Sequence, residues 1–95
     1  MDITNIKGTS DNKCKCGGWL KHWENFSGQK PLHCSVTGCL NTDLDGAHVQ
    51  SNSIFDNKWY IVPLCSSHNN ASGILRISDT VKLVPANVNL TCGKI

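Results

Sequence analysis

Six cysteines and four histidines occur in a chain of 95 residues, and their spacing is the part of the sequence that can do chemistry. Cys34 and Cys39 bracket Ser35-Val36-Thr37-Gly38, and Cys65 is followed three residues later by His68. Between these two close pairs lie 25 residues. Tetrahedral zinc takes four nitrogen or sulfur ligands, commonly as two close pairs that the fold brings together. Cys34, Cys39, Cys65 and His68 are therefore expected to hold one structural zinc ion. Cys14, Cys16 and Cys92 then remain. A Cys-x-Cys pair is too short for a disulfide of ordinary geometry but can turn both sulfurs toward one metal. With Cys92 these make three ligands of a second site, for which His22, His48 and His33 are the candidate fourth ligands. His22 or His48 is expected: locality favours His22, whereas His48 would tie a hairpin to the chain ends. His33, beside Cys34, reads as a surface histidine or a hydrogen-bond donor to the site.

A disulfide framework is the competing reading of an even cysteine count in a short chain. Met1-Asp2-Ile3-Thr4-Asn5-Ile6-Lys7 carries no signal-peptide core, and no stretch approaches the roughly 20 apolar residues of a membrane span. The expected location is cytoplasmic, where thiols stay reduced and clustered Cys and His favour metal. Disulfides also have no use for the histidines.

Length fits a single domain whose core is marginal without help, and structural metal is a common form of help. Apolar residues make up 39% and charged residues 17%, with a formal charge of +2. Six thiolates on two zinc ions would cancel that charge. Net charge therefore makes no case for nucleic-acid binding, and Lys13, Lys15, Lys21 and Lys30 are scattered enough to read as a solvated face. No Ser-His-Asp order, phosphate-cradling glycine loop or catalytic carboxylate pair stands out, and Glu24 is the only glutamate.

The elements that must position these ligands follow from pattern. Residues 1–13 are polar and read as a flexible tail before a single zinc-binding domain at 14–95. Trp19, Leu20, Trp23 and Phe26 recur on one helical face, predicting a helix over about 18–26 that Ser27-Gly28 ends. Its tryptophans are expected to plug the core, the alternative being an aromatic platform for a base or a peptide. Gly38 lets the chain turn tightly between Cys34 and Cys39. A strand begins around Ala47-His48-Val49, Asp56-Asn57 marks a turn, and Lys58-Trp59-Tyr60-Ile61-Val62 is the best strand text, which Pro63 is expected to close. Ser66 or Ser67 would cap a helix running to about Leu75. A C-terminal hairpin would use Val81, Leu83 and Val84 against Val88, Leu90 and Thr91, turning at Pro85-Ala86-Asn87.

Two ligands on a loop, a hairpin, then two ligands at a helix start: this order resembles the treble-clef zinc fold. The expected fold class is a small α+β zinc-stabilised domain with zinc knuckle, β-hairpin and short helix, plus an added N-terminal helix and C-terminal hairpin. Within that group, residues 34–75 resemble the HNH endonuclease family. The matching text is Cys34 and Cys39, Ala47-His48-Val49, and Val62-Pro63-Leu64-Cys65-Ser66-Ser67-His68-Asn69. The resemblance implies that His48 is the general base activating water, Asn57 the structural asparagine, and Asn69 the position that contacts the catalytic metal.

Phosphodiester cleavage needs a divalent cation to neutralise charge growing on phosphate and leaving oxygen. The residue before His48 is Ala47, with Gly46 before it, where HNH sites commonly carry an Asp or His. Asp45 stands three positions back, and an asparagine carbonyl alone is a weak ligand for a hard cation. The expected function is thus a small non-catalytic zinc module acting through protein or nucleic-acid binding. The alternative is an asparagine-variant HNH-like endonuclease using His48 with Mg²⁺ or another divalent cation. No membrane partner is expected.

Overall fold

A computed structural model describes residues 1–6, 15–52, 56 and 58–87. Its centre is a hairpin of β2 (Leu44–Ser51) and β3 (Trp59–Cys65), antiparallel with Ala47 opposite Val62 and His48 opposite Ile61. Alternation along these strands sorts the side chains onto two faces. Ala47, Val49, Val62 and Leu64 join a buried cluster with Ile3, Ile77, Cys34 and Cys65. Ile61 belongs to a second cluster, with Trp23 and Val84.

Three further strands extend the hairpin into a five-stranded sheet. In chain order they are β1 (Asp2–Asn5), β4 (Ile74–Arg76) and β5 (Val84–Pro85), and the sheet order is β4-β1-β2-β3-β5. Neighbours pair antiparallel throughout. Residues 2–5, expected as part of a loose tail, are instead an interior strand: Ile3 pairs with Ser51 on one side and Leu75 on the other, and its side chain is fully buried. Residues 7–13 of that expected tail lie outside the described residues.

The stronger helix, α1 (Trp19–Ser27), follows the predicted span within a residue. Gly28 ends it in the left-handed conformation at φ 71°, which costs glycine little. Trp23 is buried against Ile61 and Val84 and donates its indole N–H to the Lys82 carbonyl at 2.8 Å. It is the core plug of this face. Trp19 is half-buried and Phe26 exposed.

Further expectations are corrected. Pro63 does not close the strand, because β3 continues to Cys65. The His48 carbonyl accepts the Ile6 amide, so the backbone polar groups of His48 face β1. In the antiparallel ladder the alternate positions Gly46 and Pro63 are then a non-hydrogen-bonded pair. The Pro63 carbonyl accordingly faces away from β2 and accepts the Ser35 amide at 3.0 Å. Proline at this position removes no bond from the hairpin.

The second helix, α2 (Ser66–Asn69), is one turn rather than a helix to Leu75. Gly73, at φ 88°, breaks the chain before residues 74–76 enter the sheet as β4. No serine side chain caps α2; the Ser66 amide donates to Asp43 Oδ2 at 3.2 Å. Pro85, expected in a turn, pairs with Tyr60 on the sheet edge, where a missing amide is tolerated. The second half of the expected C-terminal hairpin, residues 88–91, lies outside the described residues.

Candidate metal centre

The fold brings Cys34, Cys39, Cys65 and His68 together so that one ligand atom from each lies within 4.8 Å of all the others. Among the described residues this is the only group of three or more Cys, His, Asp or Glu with that property. Each ligand has a local reason for its place. The Cys39 amide donates to the Val36 carbonyl at 2.9 Å, closing a turn with Gly38 at φ 82° in its third position. That positive φ is what a type II turn demands there, and it swings Cys39 back toward Cys34. The Cys34 amide donates to the Asn41 carbonyl, closing the knuckle, and the Ser35–Pro63 bond pins the knuckle to β3. Cys65 ends β3, and His68 follows within the single turn of α2.

His68 Nδ1 lies 3.3 Å from Cys65 Sγ and 3.4 Å from Cys34 Sγ, while Cys39 Sγ and Cys65 Sγ are 4.0 Å apart. Zn–S bonds of about 2.3 Å and Zn–N bonds of about 2.0–2.1 Å, set at tetrahedral angles, put neighbouring ligand atoms roughly 3.5–3.8 Å apart. The observed separations bracket that range, and three thiols with one imidazole suit a borderline-soft ion such as zinc. The group can therefore hold one metal ion. Cys34 and Cys65 are buried in the core cluster, and Cys39 and His68 are half-buried.

Burial pushes the Cys34 thiol up to about 11, against hydrogen bonds from the backbone of Cys65 and Val36. Burial also works against ionising Cys65, but hydrogen bonds from the His68 backbone, Asn41, Cys34 and the His68 ring outweigh it and hold that thiol at about 6. One negative charge is thus easy in this cluster and a second is costly. A divalent cation removes the repulsion and deprotonates its thiol ligands.

Residues around the ligands set their orientation. Asn41 Nδ2 donates to Cys65 Sγ at 3.6 Å. Asn5 Nδ2 donates to the carbonyls of His68 at 2.6 Å and Ala71 at 3.1 Å, fastening β1 to the end of α2. Asp43, through its bond to Ser66, holds the start of that turn, and the same bond lowers its carboxyl pKa. Sequence reasoning missed all three. Asn41 and Asp43 sit in polar loop text, and only the folded loop turns them onto Cys65 and Ser66. His33 is exposed, its Nδ1 2.9 Å from the Cys34 carbonyl, to which only a protonated ring nitrogen can donate.

His48 is elsewhere. It is only 6% exposed, with the Trp19 ring edge-on at 4.6 Å between centroids and Trp59 at 6.4 Å. Burial, then the nearby His22, lowers its pKa, and its Nε2 is buried with no hydrogen-bond partner among the described residues. Asn69 is half-buried at the end of α2. Asn57, Cys14 and Cys92 lie outside the described residues. Cys16 and His22 approach each other at the start of α1, with Cys16 Sγ 3.7 Å from His22 Nδ1.

No protein-family model, curated protein or solved structure matches the chain. Among the described residues no helix is long and apolar enough to cross a membrane.

Proposed function

We propose that the protein is a non-catalytic zinc module of treble-clef type, its 34–75 segment a relative of HNH domains without their cleavage chemistry, that works by binding another macromolecule. The observation that carries this reading is the Cys34, Cys39, Cys65 and His68 cluster, three thiols and one imidazole at tetrahedral spacing, held by a knuckle, a hairpin and a helix start. Two further observations support the non-catalytic half. A general base must reach water and phosphate, yet His48 lies under Trp19 with the buried Ala47 before it. Leu32 and Leu40, on either side of the knuckle in the sequence, have 74% and 77% of their surface exposed, and exposed leucines suit a protein partner better than a phosphate backbone.

The second reading, a metal-dependent nuclease of the asparagine-variant type, rests on His48 Nε2. A neutral ring nitrogen without a partner among the described residues has the form of a base. General-base catalysis alone contributes about 10²–10⁴-fold, far below what phosphodiester hydrolysis needs without a metal on the phosphate. The two readings separate when purified protein of measured zinc content is incubated with supercoiled plasmid and single-stranded DNA or RNA in Mg²⁺, Mn²⁺ or Ni²⁺. The expected result is bound zinc and intact substrate. Metal-dependent cleavage that His48→Ala abolishes, with fold and zinc retained, would overturn the non-catalytic reading.

A further inference from the structure

The three sulfurs of the metal centre are not equally shielded. Cys34 and Cys65 are buried, whereas Cys39 is partly exposed. Cys39 stands in a loop whose residues 37, 38 and 40–43 are all exposed. Cys34, by contrast, is followed by the buried Ser35, whose amide is bonded to the Pro63 carbonyl. A reagent arriving from solvent therefore meets the Cys39 sulfur first. Oxidation of a cysteine follows its exposure and its thiolate character, and a neighbouring thiol converts the first product into a reducible disulfide. That neighbour is present: Cys65 Sγ lies 4.0 Å from Cys39 Sγ. A disulfide brings its sulfurs to about 2.0 Å, so the pair must close by roughly 2 Å. Cys65 is anchored for such an approach. It pairs with Leu44 at the end of the hairpin, and its Sγ takes the Asn41 Nδ2 donor at 3.6 Å. Cys39, flanked by exposed loop on both sides, is the one that can move.

We propose that Cys39 is a site of oxidation by hydrogen peroxide, with Cys65 as the thiol that resolves it into a Cys39–Cys65 disulfide. The Cys39 thiolate attacks one peroxide oxygen, the O–O bond breaks, and the other oxygen leaves as hydroxide. The Cys65 thiolate then attacks the sulfur of the resulting sulfenic acid and expels its oxygen as a second hydroxide. Two protons turn the hydroxides into water. Two thiolates thus give up two electrons in all, and the peroxide takes them. The disulfide leaves only Cys34 and His68 of the four ligands, too few for a tetrahedral zinc, which departs with its oxidation state unchanged. Release of zinc rests on the proposed zinc module, whereas the disulfide rests on the two sulfurs alone.

The test uses the full wild-type chain, so no variant's loss of fold enters it. Zinc-saturated protein is treated with limiting hydrogen peroxide beside a chromophoric zinc indicator. Dimedone-trapped sulfenic acids and disulfides are then mapped by peptide mass spectrometry. Among Cys34, Cys39 and Cys65, the first dimedone adduct is expected on Cys39. Without dimedone, the first disulfide of these three should join Cys39 to Cys65, and the zinc of this centre should appear on the indicator in step with it. Dithiothreitol and added zinc should restore the metal-bound form. A first adduct on Cys34 or Cys65, a first disulfide from Cys39 to any other cysteine, or a Cys39 that stays reduced in excess peroxide overturns the assignment. A Cys39–Cys65 disulfide in a chain that binds no zinc, or that keeps its zinc once the disulfide has formed, upholds the oxidation site and removes the proposed zinc module instead.

Discussion

Gly46 of β2 lies directly beneath the first turn of α1, so close that a Cβ there would overlap the backbone of Trp19 and Leu20. The obstruction is main chain, so no rotamer change relieves it. Gly46→Ala must push α1 off the hairpin and disturb the packing of Trp23 on Ile61. Overpacking of this kind costs about 1–3 kcal/mol. The expected outcome is a lower urea midpoint, equivalent to a loss of about 1–3 kcal/mol of stability or more, with Trp fluorescence reporting the loosened α1. An unchanged midpoint would show that the helix sits farther from the strand.

Removal of the metal is expected to unfold the domain. A structural zinc supplies an apparent ~10–16 kcal/mol at neutral pH, as much as the roughly 5–15 kcal/mol of total stability a domain possesses. Cys34 and Cys65 are part of the core cluster itself, so their loss is felt by Val62, Leu64 and Ile77. A strong chelator, or Cys65→Ser, should collapse the dispersed amide NMR spectrum, and added zinc should restore it only in the chelated wild type. A native spectrum in metal-free protein would refute the structural role.

The four residues that converge at the candidate metal centre could be read from the chain because two short pairs fix their own spacing. Helix α1 could be read too, since Trp19, Trp23 and Phe26 repeat with its period. Other parts of the fold were not legible. Asp2-Ile3-Thr4-Asn5 has one apolar residue and becomes a strand only because β2 and β4 pair with it on both sides. Pro63 and Pro85 read as breaks, yet each faces a direction in which the sheet asks for no amide. The burial of His48 is likewise a tertiary fact, since it follows from where Trp19 comes to rest. Gly73 did carry a local signal for ending α2, which the apolar text around Ile74 and Leu75 obscured.

Asn41 is expected to tune the metal site rather than build it. Its amide donates to Cys65 Sγ, which stabilises the thiolate and orients the sulfur. Partners of this kind typically change metal affinity by about 10–100-fold. Asn41→Ala should therefore weaken zinc in competition with a chromophoric chelator by about tenfold or more, with circular dichroism of the zinc-loaded protein unchanged. Equal affinity in the variant would mean that the contact is incidental.

His48 gives the fold a pH dependence of predictable sign. Burial, and secondarily the field of His22, lowers its pKa below the ordinary value of 6.5. Across its α1-facing side it meets Trp19 and, beyond it, His22, and Trp59 lies on its own sheet; none of these carries a negative charge that could hold the imidazolium. The unfolded chain therefore binds the proton first as pH falls. By linkage, the stability this histidine permits is complete above its unfolded pKa and is lost as pH drops through 6.5 toward the folded value. Zinc ligands are protonated over acid pH as well, so the wild-type profile alone does not isolate His48. His48→Gln removes this titration and leaves the ligands in place. The expected result is that wild type and variant, each saturated with zinc, converge in relative stability as pH is lowered from 7.5 to 5.5, the wild type losing more. Parallel profiles for the two proteins would show that His48 takes up its proton without penalty, and hence that its ring is not sealed beneath Trp19.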